Sequence, residues 1–583
     1  FGLRPFSFSK LCEPVSQENT DVEWILREVP DGWEDLLTEG MPRILAKLMA
    51  QRGILREKVS KFLKPKLAEL SDPFEIAEMD LAVVRILEAV DRGEKVCIYG
   101  DYDVDGVSSI SVMSLVLSAY GLNPDAFIPH RSSEGYGLSE AGITRCLEEN
   151  GKPDLLVTVD CGTVSNEAIA GLKERGIETV VVDHHEIGQA GRPDCVALVN
   201  PKASGDKRSY LCAAGVVFKL AHALLKTRPV PDFDLKEVLD LVAIATISDI
   251  VPLVDENRLL VRHGLRGLAD SSRPGLRALL SLAGVEGKLS SADVGFRLGP
   301  RINAAGRMDQ PEKALETLMT DCSKEAEILA QELDAFNKAR QAVEQQIFAE
   351  AMEMLNGDEI EADGPAIVVG SRKWHAGVVG IVASRLMRMY HKPTFVISID
   401  EDGVGKGSGR SIAGVSLVNA IQKCGEHLIV GGGHHMAAGL SIEEDSIGPF
   451  REAFCRYVTE DCGGVDLSPK LHMDTEVDLG ELSLGFLDQY DLLQPFGSAN
   501  PQPVFMAQNV WLTEPPCRLK NNHLRLFLRQ GIDERDAIFF GGGAKPLPDP
   551  PWDIAFTVDR NVFRGRVSLQ ISIQHVRASE EKE

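Results

Sequence analysis

The sequence predicts an α/β protein: a parallel-sheet domain, a long connecting helix, a second α/β unit and a small C-terminal β-barrel. Three observations predict it. Short apolar runs at Val96-Cys97-Ile98-Tyr99, Leu155-Leu156-Val157-Thr158-Val159 and Thr179-Val180-Val181-Val182 alternate with helical stretches, the pattern of buried parallel strands joined by crossover helices. Leu329, Leu333, Phe336, Arg340, Val343 and Ile347 recur every three or four residues within 309–355, and Asn356-Gly357 supplies a stop. After about Ser468 the texture alternates, most cleanly in His523-Leu524-Arg525-Leu526-Phe527-Leu528-Arg529, which suits a barrel.

Taken in order, 583 residues are too many for one core, and three or four packed units are expected. Residues 1–80 read as an N-terminal helical region, with apolar Ile44, Leu45, Leu48 and Met49 at helical spacing. The first parallel-sheet domain is assigned to 81–270 and a helical segment with the connector to 271–357. A long helix lacking its own partner usually bridges domains, which puts a boundary near Asp358; the repeat covers too few heptads for a coiled-coil arm. Residues 358–467 form the second α/β unit, with strands at Ala366–Val369 and Thr394–Ile397 flanking a helix from about Val378 to Tyr390. Residues 468–583 carry the β texture, including Ile554–Thr557 and Val567–Ile573.

Against 62 Lys+Arg stand 87 Asp+Glu, a net charge of −25. Phosphate contacts need cations, so any contact with nucleic acid has to be local rather than spread over the surface. The eleven cysteines include no Cys-x-x-Cys pair, as expected of a reduced, cytoplasmic chain. Phe1–Pro14 lacks a signal-peptide core, and no apolar run is long enough to cross a bilayer; no membrane role is expected. Without a heptad seam or an apolar stripe, a monomer is expected.

The chemistry is carried by acids at strand ends. Gly100-Asp101-Tyr102-Asp103-Val104-Asp105-Gly106 follows the first strand directly, and carboxylates crowded this closely repel unless cations hold them. An acidic surface turn would be unusual straight after a buried strand, and an EF-hand fails for want of Glu at the twelfth loop position from Asp101. Two further strands end the same way, in Asp160 and in Asp183-His184-His185. The carboxyl ends of parallel strands line one crevice, so these residues converge although distant in sequence. Asp249 interrupts the apolar Thr246–Leu253 and must be paired, hydrogen-bonded or metal-bound. Asp and His without Cys favour Mn²⁺ or Mg²⁺ over structural zinc, and two ions about 3.5–4 Å apart suit phosphoester hydrolysis. Gly405–Ser411 and Gly431–Gly439 are glycine-rich elements that let backbone approach a ligand while presenting Arg and His, without the spacing of a Walker A loop; as isolated glycine turns they would say little, but beside a metal site phosphate binding is the better reading.

Asp103-Val104-Asp105-Gly106, Asp160, Asp183-His184-His185 and Asp249 resemble, in order, the four motifs of the DHH phosphoesterase family. Gly299–Arg307, Trp374–Val378 and Gly432–Gly439 resemble its RecJ branch and the DHH-associated domain, and Pro495–Pro501 resembles the segment leading into an OB-fold. The resemblance implies a DHH domain, a DHH-associated domain and an OB-like barrel. It implies two ions held by Asp103, Asp105, Asp160, His184 and Asp249, with Asp160 bridging, Asp101 a further candidate ligand, and Asp183 and His185 beside them. Arg131, Arg301, Asn303, His375, Ser408, Arg410 and His434 are implied to face substrate. The activity implied is 5′-to-3′ hydrolysis of single-stranded DNA to mononucleotides in repair and recombination, alongside single-strand-binding protein and a helicase. Tyr99 stands where the pyrophosphatase branch has a His, which weakens that reading.

Between Pro515 and Arg577, ten basic residues (Arg518, Lys520, Arg525, Arg529, Arg535, Lys545, Arg560, Arg564, Arg566, Arg577) outnumber six acids, which would extend a nucleic-acid track. Two alternatives stand beside this reading: a phosphodiesterase for short oligonucleotides or bisphosphate nucleotides, which shares the motifs but whose members usually lack the barrel, and a non-catalytic single-strand-binding scaffold, whose members have lost carboxylates that this chain keeps.

Overall fold

In the computed structural model, the described residues are 22–579 apart from 39, 132, 136, 189, 286, 358–363, 545 and 564–565. The segment Phe1–Pro14, the boundary expected near Asp358, and Lys545 and Arg564 lie outside them. Two compact units form. One comprises Leu63–Arg340 and Leu493–Pro501; the other comprises the described residues of Phe1–Phe62, Gln341–Leu492 and Gln502–Glu583.

The first unit is built on a five-stranded parallel sheet of β1 (Val96–Gly100), β2 (Asp125–Phe127), β3 (Leu155–Val159), β4 (Glu178–Val182) and β5 (Ala197–Val199), in the order β2-β1-β3-β4-β5. All residues of β1 and β3 are buried, as expected for strands covered by helices on both faces. β2 and β5 are three-residue strands that leave no periodic trace in the sequence. Helix α1 (Val104–Ala119) follows β1 and is buried nearly all round, so its side chains are apolar or small, with Ser111 Oγ donating to Val107 O at 2.8 Å. Helices α2 (Ala213–Thr227) and α3 (Leu239–Ser248) are also largely buried. α4 (Gly299–Arg307) comes later in the unit. The chain leaves through α5 (Ser323–Asn356), which begins in this unit and ends in the other.

The second unit holds a five-stranded sheet of β6 (Ile367–Ser371), β7 (Thr394–Ile399), β8 (Val404–Arg410), β9 (Val430–Gly433) and β10 (Ala437–Glu443), ordered β9-β10-β8-β7-β6, with helix α6 at Val379–Tyr390. The glycine-rich segments lie in strands: β8, and the β9–β10 pair joined through His434–Met436. A Cβ on Gly405, Gly407 or Gly409 would lie 2.7 Å from Ile397, 2.7 Å from Leu440 and 2.4 Å from Phe395. These alternate glycines let β8 press onto its own core, and Lys406, Ser408 and Arg410 occupy the opposite face.

The same unit ends in a barrel of β11 (Thr475–Glu476), β12 (Phe505–Leu512), β13 (Cys517–Arg518), β14 (Leu524–Gln530), β15 (Asp533–Phe539), β16 (Trp552–Phe563) and β17 (Arg566–Ala578). The order β12-β16-β17-β15-β14 closes through a β12–β14 pairing, which removes the sheet edges. The basic excess read there is partly neutralised: Arg525 pairs with Asp536 at 2.7 Å, Arg560 with Asp488 at 2.7 Å and Arg577 with Asp553 at 3.2 Å. A strand the sequence did not announce, Glu23–Leu26, pairs in parallel with Lys470–Met473. Among the described residues, no helix is long and apolar enough to cross a membrane.

Candidate metal centre

The acids flagged at strand ends meet at the carboxyl edge of the first unit's sheet. Asp103 is the N-cap of α1: its Oδ1 accepts from Asp105 N at 2.8 Å and Gly106 N at 3.2 Å, satisfying donors that a helix start leaves open. Gly106 is required for that start, because a Cβ there would lie 2.3 Å from Asp101 O. Asp105 is buried and its two oxygens accept from Ala213 N at 2.7 Å and Ala214 N at 2.8 Å, the opening turn of α2. Asp160 follows β3 with φ of 62°, a left-handed conformation that Asp tolerates better than most residues. Asp249 caps the end of α3.

Three sets of side chains each bring one ligand atom apiece within 4.8 Å of one another: Asp101, Asp103 and Asp160; Asp160, His184 and His185; Asp105, His184 and Asp249. The sets are chained, since Asp160 belongs to the first two and His184 to the last two. His184 Nε2 lies 3.4 Å from Asp160, 3.7 Å from Asp249 and 3.9 Å from Asp105, mostly beyond hydrogen-bond range. Asp183 stands behind the set. It accepts from Thr163 N at 3.0 Å, His184 N at 2.7 Å and His185 N at 3.2 Å, and its Oδ1 is 2.7 Å from His185 Nδ1.

The electrostatics are those of carboxylates that cannot all ionise unaided. Burial, then the Asp103 charge, raises Asp105 to about 7; burial, then Asp105 and Asp103, raises Asp249 to about 8. Asp101 and Asp160 rise well above the ordinary carboxylate range for the same causes. Burial lowers His184 to about 3. For His185 burial acts downward, but the Asp183 hydrogen bond and charge prevail and bring it to about 9. Burial alone would raise Asp183, yet its partners, led by His185, hold it below the usual range.

A divalent metal pair fits these residues. Asp101 Oδ1, Asp249 Oδ2 and His184 Nδ1 are buried and lack hydrogen-bond partners, a costly arrangement unless cations take up the charge. The donors are carboxylate oxygens and imidazole nitrogens, the set suited to Mn²⁺ or Mg²⁺.

Family models match along most of the chain: the DHH family, N-terminal domain, over residues 95–246; the DHHA1 domain over 363–460; and the RecJ OB domain over 473–575. The single-stranded-DNA-specific exonuclease RecJ of Bacillus subtilis (strain 168) is 36% identical over 546 residues, covering 92% of this chain and 68% of that protein. The chain belongs to the RecJ family. Crystal structures of RecJ from Thermus thermophilus in complex with Mn²⁺ and with Mg²⁺ match it with TM-scores of 0.83 and 0.77 and identities of 30% and 28%. Each match covers 96% of this chain, and 80% and 79% of the respective structures.

The residues expected to face substrate fall in both units. Arg131 lies over the Tyr102 ring at 5.6 Å. Arg301 is engaged with Asp334 at 2.9 Å and Arg297 O at 2.6 Å. Asn303 Oδ1 accepts from Val104 N at 3.1 Å, so α4 braces the first turn of α1. In the second unit, Arg410 donates to Ser408 Oγ at 3.0 Å, while His375 and His434 are exposed; His375 Nδ1 accepts from Gly377 N at 3.1 Å.

Sequence reasoning missed several supports of this centre. Asn200, after β5, donates to Thr163 Oγ1 at 2.9 Å and His185 O at 2.8 Å, tying together the loops after β3 and β4. Arg307 is held near Arg131 and Arg340, and burial followed by their charges lowers it to about 10. Pro495–Pro501, expected to lead into the barrel, packs with the sheet unit: Leu253 N donates to Ser498 O at 2.8 Å, and a Cβ on Gly497 would lie 2.7 Å from Leu253. It fixes the stretch that follows Asp249.

Proposed function

We propose that this chain is a single-stranded-DNA-specific exonuclease that works from the 5′ end in repair and recombination and releases 5′ mononucleotides. The observation that carries the reading is the chained ligand set, joined through Asp160 and His184. Asp103, Asp105, Asp160, His184 and Asp249, with Asp101 and His185, are the residues that would hold two ions. Two divalent ions supply Lewis acidity to both the attacking and the leaving oxygen of an in-line displacement.

The protein's own contribution is to position. Asp103 is locked by the α1 N-terminus and Asp105 by that of α2, so neither carboxylate has to reorganise when charge develops. Asp183 holds His185 by Nδ1, which leaves Nε2 as the edge available to the cluster. Arg307 supplies positive charge beside Asp103 and Arg131 beside Asp101, where a substrate phosphate needs it. In the reaction, a water oxygen bonds to the phosphorus between the first two nucleotides and the P–O3′ bond breaks. The released nucleotide takes a proton on its 3′ oxygen, and the shortened strand keeps a 5′ phosphate. The OB-type barrel supports a substrate longer than a dinucleotide. In this role the chain would work in the cytoplasm as a monomer, beside single-strand-binding protein and a helicase.

The test is release of label from single-stranded DNA marked at the 5′ or the 3′ end, with a blunt duplex for comparison, in Mn²⁺ or EDTA. The expected result is early release of the 5′ label as mononucleotide, abolished by EDTA, with the duplex resistant. Binding without degradation would support the scaffold reading instead, and activity restricted to oligonucleotides of a few residues the short-substrate reading.

A further inference from the structure

Ile250 directly follows Asp249, and its conformation is unusual. Its φ is 59°, and among the described non-glycine residues with positive φ it is the one β-branched side chain. The left-handed region strains any L-residue, and a β-branched one most. The backbone here closes α3: Asp249 N donates to Ala245 O at 2.9 Å and Ile250 N to Ile247 O at 3.2 Å. Glycine or asparagine is the usual residue at such a position. The side chain gains nothing from packing in return, because Ile250 is 74% exposed. A strained backbone that places an aliphatic group in solvent costs stability twice over, and such arrangements concentrate at functional sites.

Its position says what it would meet. The Cα of Ile250 is about 3.8 Å from that of Asp249, and Asp249 shares a candidate ligand set with Asp105 and His184. A phosphodiester held at that set brings its two flanking nucleotides within reach of neighbouring side chains. Phosphate and sugar hydroxyls are polar; the broad apolar surface of a nucleotide is the face of its base, which proteins bind by contact without reading sequence. We propose that Ile250 is a substrate contact of the nuclease, its aliphatic side chain lying against the base of a nucleotide that flanks the scissile phosphate. The proposal rests on the exonuclease reading above and deepens it, for it assigns recognition of the nucleobase to a residue outside the ligand set.

The test compares the parent chain with Ile250→Asn, which suits the left-handed turn while removing the apolar group, and Ile250→Leu, which keeps an apolar group. Each is assayed for kcat, KM and equilibrium affinity. The substrates are a fully based single-stranded oligonucleotide and matching strands that lack the base at the first or the second nucleotide. On the fully based strand Ile250→Asn is expected to raise KM and weaken affinity about tenfold, with kcat little changed, since a contact made equally in ground and transition states acts on KM. Ile250→Leu is expected to remain near the parent. On one of the base-lacking strands the parent and Ile250→Asn should coincide, and the melting temperature of Ile250→Asn should equal or exceed the parent's. An unchanged KM and affinity, or an equal loss on every strand, would overturn the proposal. Should the parent degrade none of the strands, the exonuclease reading fails, and the affinity comparison still decides whether Ile250 contacts a base.

Discussion

Asp160→Asn is expected to abolish metal-dependent hydrolysis of single-stranded DNA while leaving the chain folded. Asp160 is shared by two of the three ligand sets, so its loss removes a donor from both and weakens the hold on the ion between them. A metal ion is worth several kcal/mol of transition-state charge stabilisation, and at about 1.4 kcal/mol per decade of rate the fall should be on the order of 10³-fold or more. Asn is the informative replacement because it tolerates the left-handed backbone at this position. The buried carboxylate is driven well above its ordinary pKa by burial and by Asp105, Asp103 and Asp101. Removing its charge should therefore raise the melting temperature of the metal-free protein, as measured by thermal unfolding in EDTA. Full activity in Asp160→Asn, or collapse of its fold, would contradict this role.

The metal-free protein is expected to lose stability as pH rises from about 5 to 9, and Mn²⁺ to offset that loss. Asp105 at about 7 and Asp249 at about 8 lie above the ~3.9 of an unfolded chain. A carboxyl raised on folding gives stability that is complete below the unfolded pKa and is lost as pH climbs through the folded one. His185, raised to about 9, acts in the same direction over its own window, at about 1.4 kcal/mol per pH unit for each proton. His184, lowered to about 3, acts the other way below its ordinary ~6.5, and Asp183, also lowered, only below the usual carboxylate range, so the fall is partly offset below about pH 6.5 and steepest above it. Metal ligands bind deprotonated, so affinity rises with pH, and at 1,000 times Kd the ion adds about 4 kcal/mol. Melting temperatures in EDTA should fall across the range and the increment given by Mn²⁺ should grow. A flat profile in EDTA, or an increment independent of pH, would argue against the cluster as the binding site.

The catalytic half of this molecule was legible because its signal is chemical. Acids directly after buried strands have few structural uses, so Asp103, Asp160 and Asp183 could be placed at one edge before any coordinates. The supports were not legible, because backbone amides perform them. Ala213 and Ala214 hold Asp105 through their N–H groups, and two alanines carry no sign of that in sequence. Asn200 follows a strand too short to leave a pattern. The packing role of the β8 glycines was not legible for another reason: a glycine that admits a ligand and one that admits a core side chain look alike until the facing strand is known, and here Phe395, Ile397 and Leu440 fill the space. Ile250 was invisible because its meaning lies in a dihedral angle.

One cluster of acids and histidines in the first unit is expected to hold two ions. This is tested most directly by crystals of the parent chain grown with Mn²⁺ and measured at the manganese absorption edge. Two anomalous peaks are expected, one among Asp101, Asp103, Asp160 and His185 and one among Asp105, His184 and Asp249, with Asp160 or His184 between them. A single peak, or manganese bound away from these side chains, would contradict it.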